Sequence, residues 1–329
     1  MRCTTMNLVV IAAIASFPLQ TKAAPVLGTA QDFAVLGHTT VTNTGPTSIF
    51  GSADVIANTG VFSAGGANAT TGFSTAGNTF VGPGTNTNGP GIVAAPAAIH
   101  LGSPVAGTAR NDLITAYNAL SSYGTAIDLS GQILGDGVGG VVPTLGPGVY
   151  SFASSAQLNG TLKLDAQGMN GATWVFQIGS TLTTASASAV ELINPGGNLG
   201  SDVGVFWVVG SSATLGTTTE FEGNILAQTT ITLDNGATIY NGRALAIDGA
   251  VNLDTNIISN ICPPQSSAPN TGPGFSGGLE FDDNGNLVPI DPSVIPEPAT
   301  MTLILIGTTL LALRRSERNG GGTGTPTPL

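Results

Sequence analysis

The chain has 329 residues, with eight basic and nineteen acidic side chains, a net charge of −11 and only 8% charged residues in all. Between residues 24 and 298 three basic side chains (Arg110, Lys163, Arg243) stand against eighteen acidic ones, which excludes nucleic acid as a partner, because displacing phosphate counterions needs Lys and Arg. Cys3 and Cys262 are the two cysteines, and the first lies in a predicted leader, so the mature chain forms no internal disulfide and stacked repeats must supply its stability.

In chain order, Met1 to about Ala23 carries Arg2, an apolar run from Leu8 to Phe17 and small residues at Ala23 and Ala24. That pattern predicts a secretory signal over residues 1–23 and an extracellular product. A mainly β body follows over 24–262. Thr40-Val41-Thr42 sets an apolar residue between two threonines. Residues 58–102 are polar, with Ala64–Gly72 and Gly82–Pro90 dominated by Gly, Asn, Thr and Ala; this composition predicts a cap with mobile loops at one end of the body. Ser103 then offers an N-cap and Pro104 a first helical residue. Val105, Ala109, Leu113, Ala116, Tyr117 and Leu120 recur at helical spacing and Gly124 can end the element, which predicts one helix over about 104–123.

The second half of the body repeats the pattern met at Val41. Thr181-Leu182-Thr183, Ser212-Ala213-Thr214, Thr230-Ile231-Thr232 and Ala250-Val251-Asn252 recur at distances of 31, 18 and 20 residues, close to one coil of a β-solenoid. Strand alternation sends the middle residue inward and both flanks outward, so stacked copies form a two-column ladder. Ser154–Leu158 matches Ser211–Leu215 at four of five positions, placing Ser155 and Gln157 in it. Apolar runs such as Trp174-Val175-Phe176 and Val205-Phe206-Trp207-Val208-Val209 precede the rungs. The helix is expected to lie along the stack, covering one face and leaving the ladder open.

Beyond Pro263 the composition turns to Pro, Gly, Ser and acidic residues, which predicts a linker over 263–295. Pro296-Glu297-Pro298 is followed by fifteen mostly apolar residues and then Arg314, Arg315 and Arg318, with a low-complexity tail over 319–329. Fifteen residues fall short of the ~20 of a stable span, and the basic end suits the cytoplasmic side of a membrane; a transient transmembrane helix is expected.

The segments Phe33–Leu36, Thr40–Pro46, Pro147–Tyr150, Phe176–Ala185, Val209–Gly216 and Asn241–Ala244 together resemble the bacterial and microalgal ice-binding-protein-like family, over roughly residues 27–260. The resemblance implies a discontinuous β-solenoid with a long helix alongside, and a flat face whose short Thr/Ser-containing motif touches ice. Carried onto this chain, that motif falls on Thr40, Thr42, Ser155, Thr181, Thr183, Ser212, Thr214, Thr230, Thr232, Ala250 and Asn252, with Gln157, the neighbouring His38 and a 58–102 segment longer than the family's as departures. Residues 296–318 resemble the PEP-CTERM sorting signal, which implies processing by an exosortase-type enzyme and association with extracellular polysaccharide.

Other patterns are weaker. Gly135–Gly140 fits a dinucleotide fingerprint with no helix pattern after it. Gly274–Gly278 fits a nucleophile elbow, yet both histidines precede it. Asp282-Asp283-Asn284-Gly285-Asn286 starts like a calcium loop without its twelfth-position acid. Asp234, Asp248 and Asp254 read as turn residues, and Trp174 and Trp207 as core. The expectation is therefore a non-enzymatic antifreeze protein of cold adaptation, with no metal and no cofactor. The alternative is a matrix or adhesion protein that holds exopolysaccharide on the same face. Exposed strand positions favour Thr by β propensity alone, but two columns repeated with almost no Lys or Glu intruding favour a selected surface.

Overall fold

The computed structural model describes residues 24–52, 56–197, 200–261 and 275–290. The predicted signal, Cys262, Gly274, the Pro296-Glu297-Pro298 motif, the apolar run 299–313 and Arg314 and Arg315 lie outside the described residues. No helix among the described residues is long and apolar enough to cross a membrane.

Twenty-five of the strands belong to two large parallel sheets, of sixteen and nine strands, and the architecture is a β-solenoid with one helix at its side. The nine-stranded sheet forms one side. The larger sheet wraps around the other two, because Glu220–Ala227 and Thr238–Ala246 turn a corner within a single strand. The pairing of these two strands shifts between Glu222 and Asn224. Gly223 sits there at φ +103°, and a Cβ on Gly242 would collide with the Gly223 carbonyl, so only glycine lets consecutive coils turn at strand spacing.

The solenoid is not stacked in chain order. The first coils grow outward from Thr40–Thr44 through Ala69–Phe73 to Thr85–Asn88. The helix Pro104–Ser121 then carries the chain from Ile99–Leu101, near that end, to Ile127–Asp128 at the other. From there the coils stack back until Val251–Asp254 pairs with Thr40–Thr44. The N-terminal coil is thereby spliced onto the C-terminal one.

Side-chain periodicity explains the layering. Gly204–Val209 is buried at all six positions, as a strand covered on both faces must be. Val205, Trp207 and Val209 point into the solenoid with Phe176 and Phe221, where Phe176 and Trp207 stack with ring centroids 3.8 Å apart and planes 6° from parallel. Phe206 and Val208 point outward and, with Val175, Leu226 and Leu245, meet Ala106, Ala109, Leu113, Ala116 and Leu120 of the helix. Ser103 caps the helix by accepting a hydrogen bond from the Ala106 amide. The stripe uses Ala106 and leaves Val105 50% exposed, since a residue at the first turn faces wherever the cap aims it. Gln177 closes the far end by donating to the Leu120 and Tyr123 carbonyls, at the terminus where helix carbonyls run out of intrahelical donors.

Two stretches differ from their compositional reading. Residues 58–102 lie at one end of the stack but carry strands Asn58–Val61, Ala69–Phe73, Phe80–Val81, Thr85–Asn88, Ile92–Val93 and Ile99–Leu101, so they form coils rather than a loop-built cap. Within 263–295, Leu279–Phe281 and Leu287–Pro289 form a hairpin whose first strand pairs with Ala24–Pro25, and Phe275, Ser276 and Leu279 are buried. Asp282 makes that hairpin turn by accepting from the Asn284 and Asn286 amides. It acts as a turn residue where a calcium loop was conceivable.

Glu222 lies beside Glu191 and accepts the Leu192 amide at 3.0 Å. Burial pushes its carboxyl up to about 7 from an ordinary 4.5; the Leu192 amide and Asn241 hold it back and the Glu191 carboxylate adds to the rise. Because the unfolded chain releases this proton first, the group favours the fold below pH 4.5 and loses that contribution as pH rises through 7. Melting temperatures across pH 4.5–7.5 are expected to fall less in Glu222→Gln than in the parent, and parallel curves would refute the assignment.

Candidate functional site

The nine-stranded sheet presents the ladder. Its strands run Ile133–Leu134, Ala156–Leu158, Leu182–Thr184, Ala213–Leu215, Ile231–Leu233, Val251–Asp254, Thr40–Thr44, Ala69–Phe73 and Thr85–Asn88, all in parallel. Register aligns one outward column as Ile133, Gln157, Thr183, Thr214, Thr232, Asn252, Thr42, Thr71 and Thr87. The residues two places earlier in the chain make a second column: Thr40, Ala69 and Thr85 pair in that order, and Ser155, Thr181, Ser212, Thr230 and Ala250 immediately precede their strands, the carbonyls of the last four accepting from Ala156, Leu182, Ala213 and Ile231 of the neighbouring coil. Between the columns Ala156, Leu182, Ala213, Ile231, Val251 and Val41 are wholly buried. All eleven residues assigned from sequence therefore lie on the strands of this sheet or immediately before them.

Hydrogen bonds between neighbouring rungs fix several hydroxyls. Thr181 Oγ1 donates to Ser155 Oγ at 2.8 Å, and Ser212 shares a 2.8 Å bond with Thr229. At the splice Thr42 Oγ1 donates to Asn252 Oδ1 at 2.8 Å, while Asn252 Nδ2 reaches Thr232 Oγ1 at 3.5 Å. Asn252 thus bridges the two halves of the chain on the open face. With rotamers stiff at Cβ and hydroxyls tethered sideways, the face is a fixed array of methyls and oxygens spaced ~4.8 Å along each column. No charged side chain occupies either column.

Charge appears only at the margin. Asp234 and Asp254 lie two residues beyond Thr232 and Asn252 of the first column, and a shallow depression of about 340 Å³ runs there between Thr42, Thr44, Asn252 and Asn235. Asp254 accepts from Asn235 and Thr255. Asp248 is elsewhere, paired with Arg110 of the helix at 2.8 Å, so the three aspartates do not converge. His38 lies beside Thr40, with Nδ1 2.8 Å from the Phe62 carbonyl. Trp174 and Trp207 are fully buried, their indole N–H groups donating to the Leu145 and Glu222 carbonyls. Gly135–Gly140 forms a turn with no helix after it, and among the described residues no group of three or more His, Cys, Asp or Glu could hold a metal ion.

This geometry can be set beside known proteins. The ice-binding-like family model matches residues 35–259. The chain belongs to the ice-binding-like family. It is 46% identical to the ice-binding protein of Nostoc sp. (strain HG1) over 264 residues, 78% of this chain and 84% of that relative. Among solved structures it is similar to an ice-binding protein from an Antarctic biological consortium, with a TM-score of 0.55 and 35% identity over 74% of this chain and 95% of that one. The ice-binding protein of the ascomycete Antarctomyces psychrotrophicus gives 0.52 and 31%, over 72% and 98%.

In this ice-binding-like chain, sequence reasoning missed Ile133 and, within residues 58–102, four further ladder residues: Ala69, Thr71, Thr85 and Thr87. The signal was present as Ala69-Thr70-Thr71 and Thr85-Asn86-Thr87, sixteen residues apart. It was masked because the middle residues are polar. Thr70 is buried all the same, and its hydroxyl donates to Asn86 Oδ1 at 3.0 Å.

Proposed function

We propose that the protein binds ice through the two-column face of the nine-stranded sheet and so restrains crystal growth. The observation that carries this reading is the continuous register of small, mostly hydroxyl-bearing and uncharged side chains over strands from both halves of the chain. Methyls on a fixed lattice hold water in an ordered layer, and the hydroxyls and the Asn252 amide anchor it. A solid surface of ordered water can then meet the face without the cost of desolvating charge. Similarity to proteins named for binding ice supports the same reading. The test is a thermal-hysteresis and ice-recrystallisation measurement on the purified protein; freezing behaviour indistinguishable from that of an equally concentrated inert protein would end the proposal.

The leader pattern over residues 1–23 and the Pro296-Glu297-Pro298 signal with its apolar run, Arg314 and Arg315 support secretion, transient membrane insertion and cleavage by an exosortase-type enzyme. Intact-mass analysis of the extracellular fraction is expected to show a mature C-terminus close to Pro298 and no peptide from Leu303 to Leu313. Recovery of those peptides outside the cell would refute processing, and uncut protein in membranes would mean a permanent anchor.

A further inference from the structure

We propose that the binding face continues beyond Thr40 and Thr42 over the two coils built by residues 58–102, so that Thr71, Thr85 and Thr87 meet the same ice surface. This rests on the ice-binding reading and adds residues to it. Thr42 pairs with Thr71 and Thr71 with Thr87, while Thr40 pairs with Ala69 and Ala69 with Thr85. Both columns therefore cross into this segment without a break, and Thr71, Thr85 and Thr87 are exposed.

The two extra rungs are also tied together by side-chain hydrogen bonds. Thr70 donates to Asn86, and Asn86 Nδ2 donates to the Phe73 carbonyl at 2.8 Å. Glycine shapes the corner: a Cβ on Gly72 would strike the Asn43 carbonyl, and one on Gly89 would strike Gly72. Three successive coils can therefore close at strand spacing.

An independent observation points to use of this surface. Solenoid ends and edge strands are ordinarily blunted by charge against unwanted pairing. Residues 58–102 contain no Asp, Glu, Lys or Arg at all, although Thr85–Asn88 is the last strand of its sheet. A segment serving only to close the stack has no reason to avoid charge, whereas one that meets ordered water does. With these coils the face spans nine strands, roughly 38 Å at ~4.8 Å each, and its centre moves from Thr214 to Thr232.

The experiment measures thermal hysteresis of Thr71→Tyr and Thr87→Tyr beside Thr214→Tyr and a Lys163→Tyr control on another side of the solenoid, with far-UV circular dichroism and melting for each. Thr71→Tyr and Thr87→Tyr are expected to lose about half of the activity or more, because a ring standing off the face opens a gap across which contact energy falls steeply. Full activity in both, alongside its loss in Thr214→Tyr, would overturn the extension. Retention in Thr214→Tyr as well would instead remove the ice-binding face itself. Should a tyrosine at position 87 loosen the edge strand, Thr71→Tyr carries the test, since its strand is paired on both sides.

Discussion

Thr214→Tyr and Thr232→Tyr are each expected to abolish thermal hysteresis while leaving circular dichroism unchanged and melting within about 2 °C of the parent. Thr214 sits between Thr183 and Thr232 in the same column. Its neighbours Ala213 and Leu215 are fully buried and carry the packing of that rung; the threonine side chain itself contributes little to the core. Substituting an outward residue of this kind changes stability by about 0.5 kcal/mol or less. A phenol ring at that position stands above a face whose other side chains are short, so neighbouring methyls lose contact with the surface they meet. Unimpaired hysteresis in both variants would move the site to the adjoining edge formed by Thr217–Thr219 and Asn235–Thr238.

The opposite pattern is expected at Arg243, where stability should fall without any ladder residue being altered. Arg243 is fully buried. Its guanidinium donates to the Gln31 carbonyl at 2.8 Å and to Asn224 Oδ1 at 2.7 Å. Burial disfavours its charge and pushes its pKa down to about 9, while the nearby Asp32 carboxylate works in the opposite sense. The residue lies on Thr238–Ala246, which pairs with Phe33–Gly37, so it ties the N-terminal coil to the C-terminal one. Arg243→Leu leaves the buried acceptors without a donor and is expected to cost about 3–5 kcal/mol. Urea unfolding at constant m-value measures it, and a change under about 1 kcal/mol would show that the splice does not depend on this residue. Because Asn252 and Thr42 meet at the same junction, hysteresis should fall in proportion to the unfolded fraction and no faster.

The ladder variants and Arg243→Leu separate what is local in this protein from what is not. Coil spacing, the inward–outward alternation at Leu182, Ala213, Ile231 and Val251, and the stripe from Ala109 to Leu120 are legible in sequence because strand and helix periods are properties of a few adjacent residues. The doubly buried runs at Trp174–Phe176 and Val205–Val209 likewise announce a covered face. The rungs at Thr71 and Thr87 were not legible, since a buried Thr70 is apolar in effect only when Asn86 of the next coil accepts its hydroxyl. The hairpin at Leu279–Pro289 was hidden by a linker-like composition, and what holds it is its pairing with Ala24–Pro25.

The fold class, the helix, the inward residues of each C-terminal rung and the uncharged character of the exposed columns thus follow from local patterns alone. The order of the coils is a matter of long-range packing: the strand at Thr40–Thr44 follows Val251–Asp254, the helix carries the chain from one end of the stack towards the other, and residues 58–102 prolong the ladder. The physical reason is that parallel rungs of nearly identical composition are interchangeable as local patterns. Which one neighbours which is set by long-range contacts, namely Arg243 with Gln31, Asn252 with Thr42 and the glycine corners, and these form only between residues far apart in the chain.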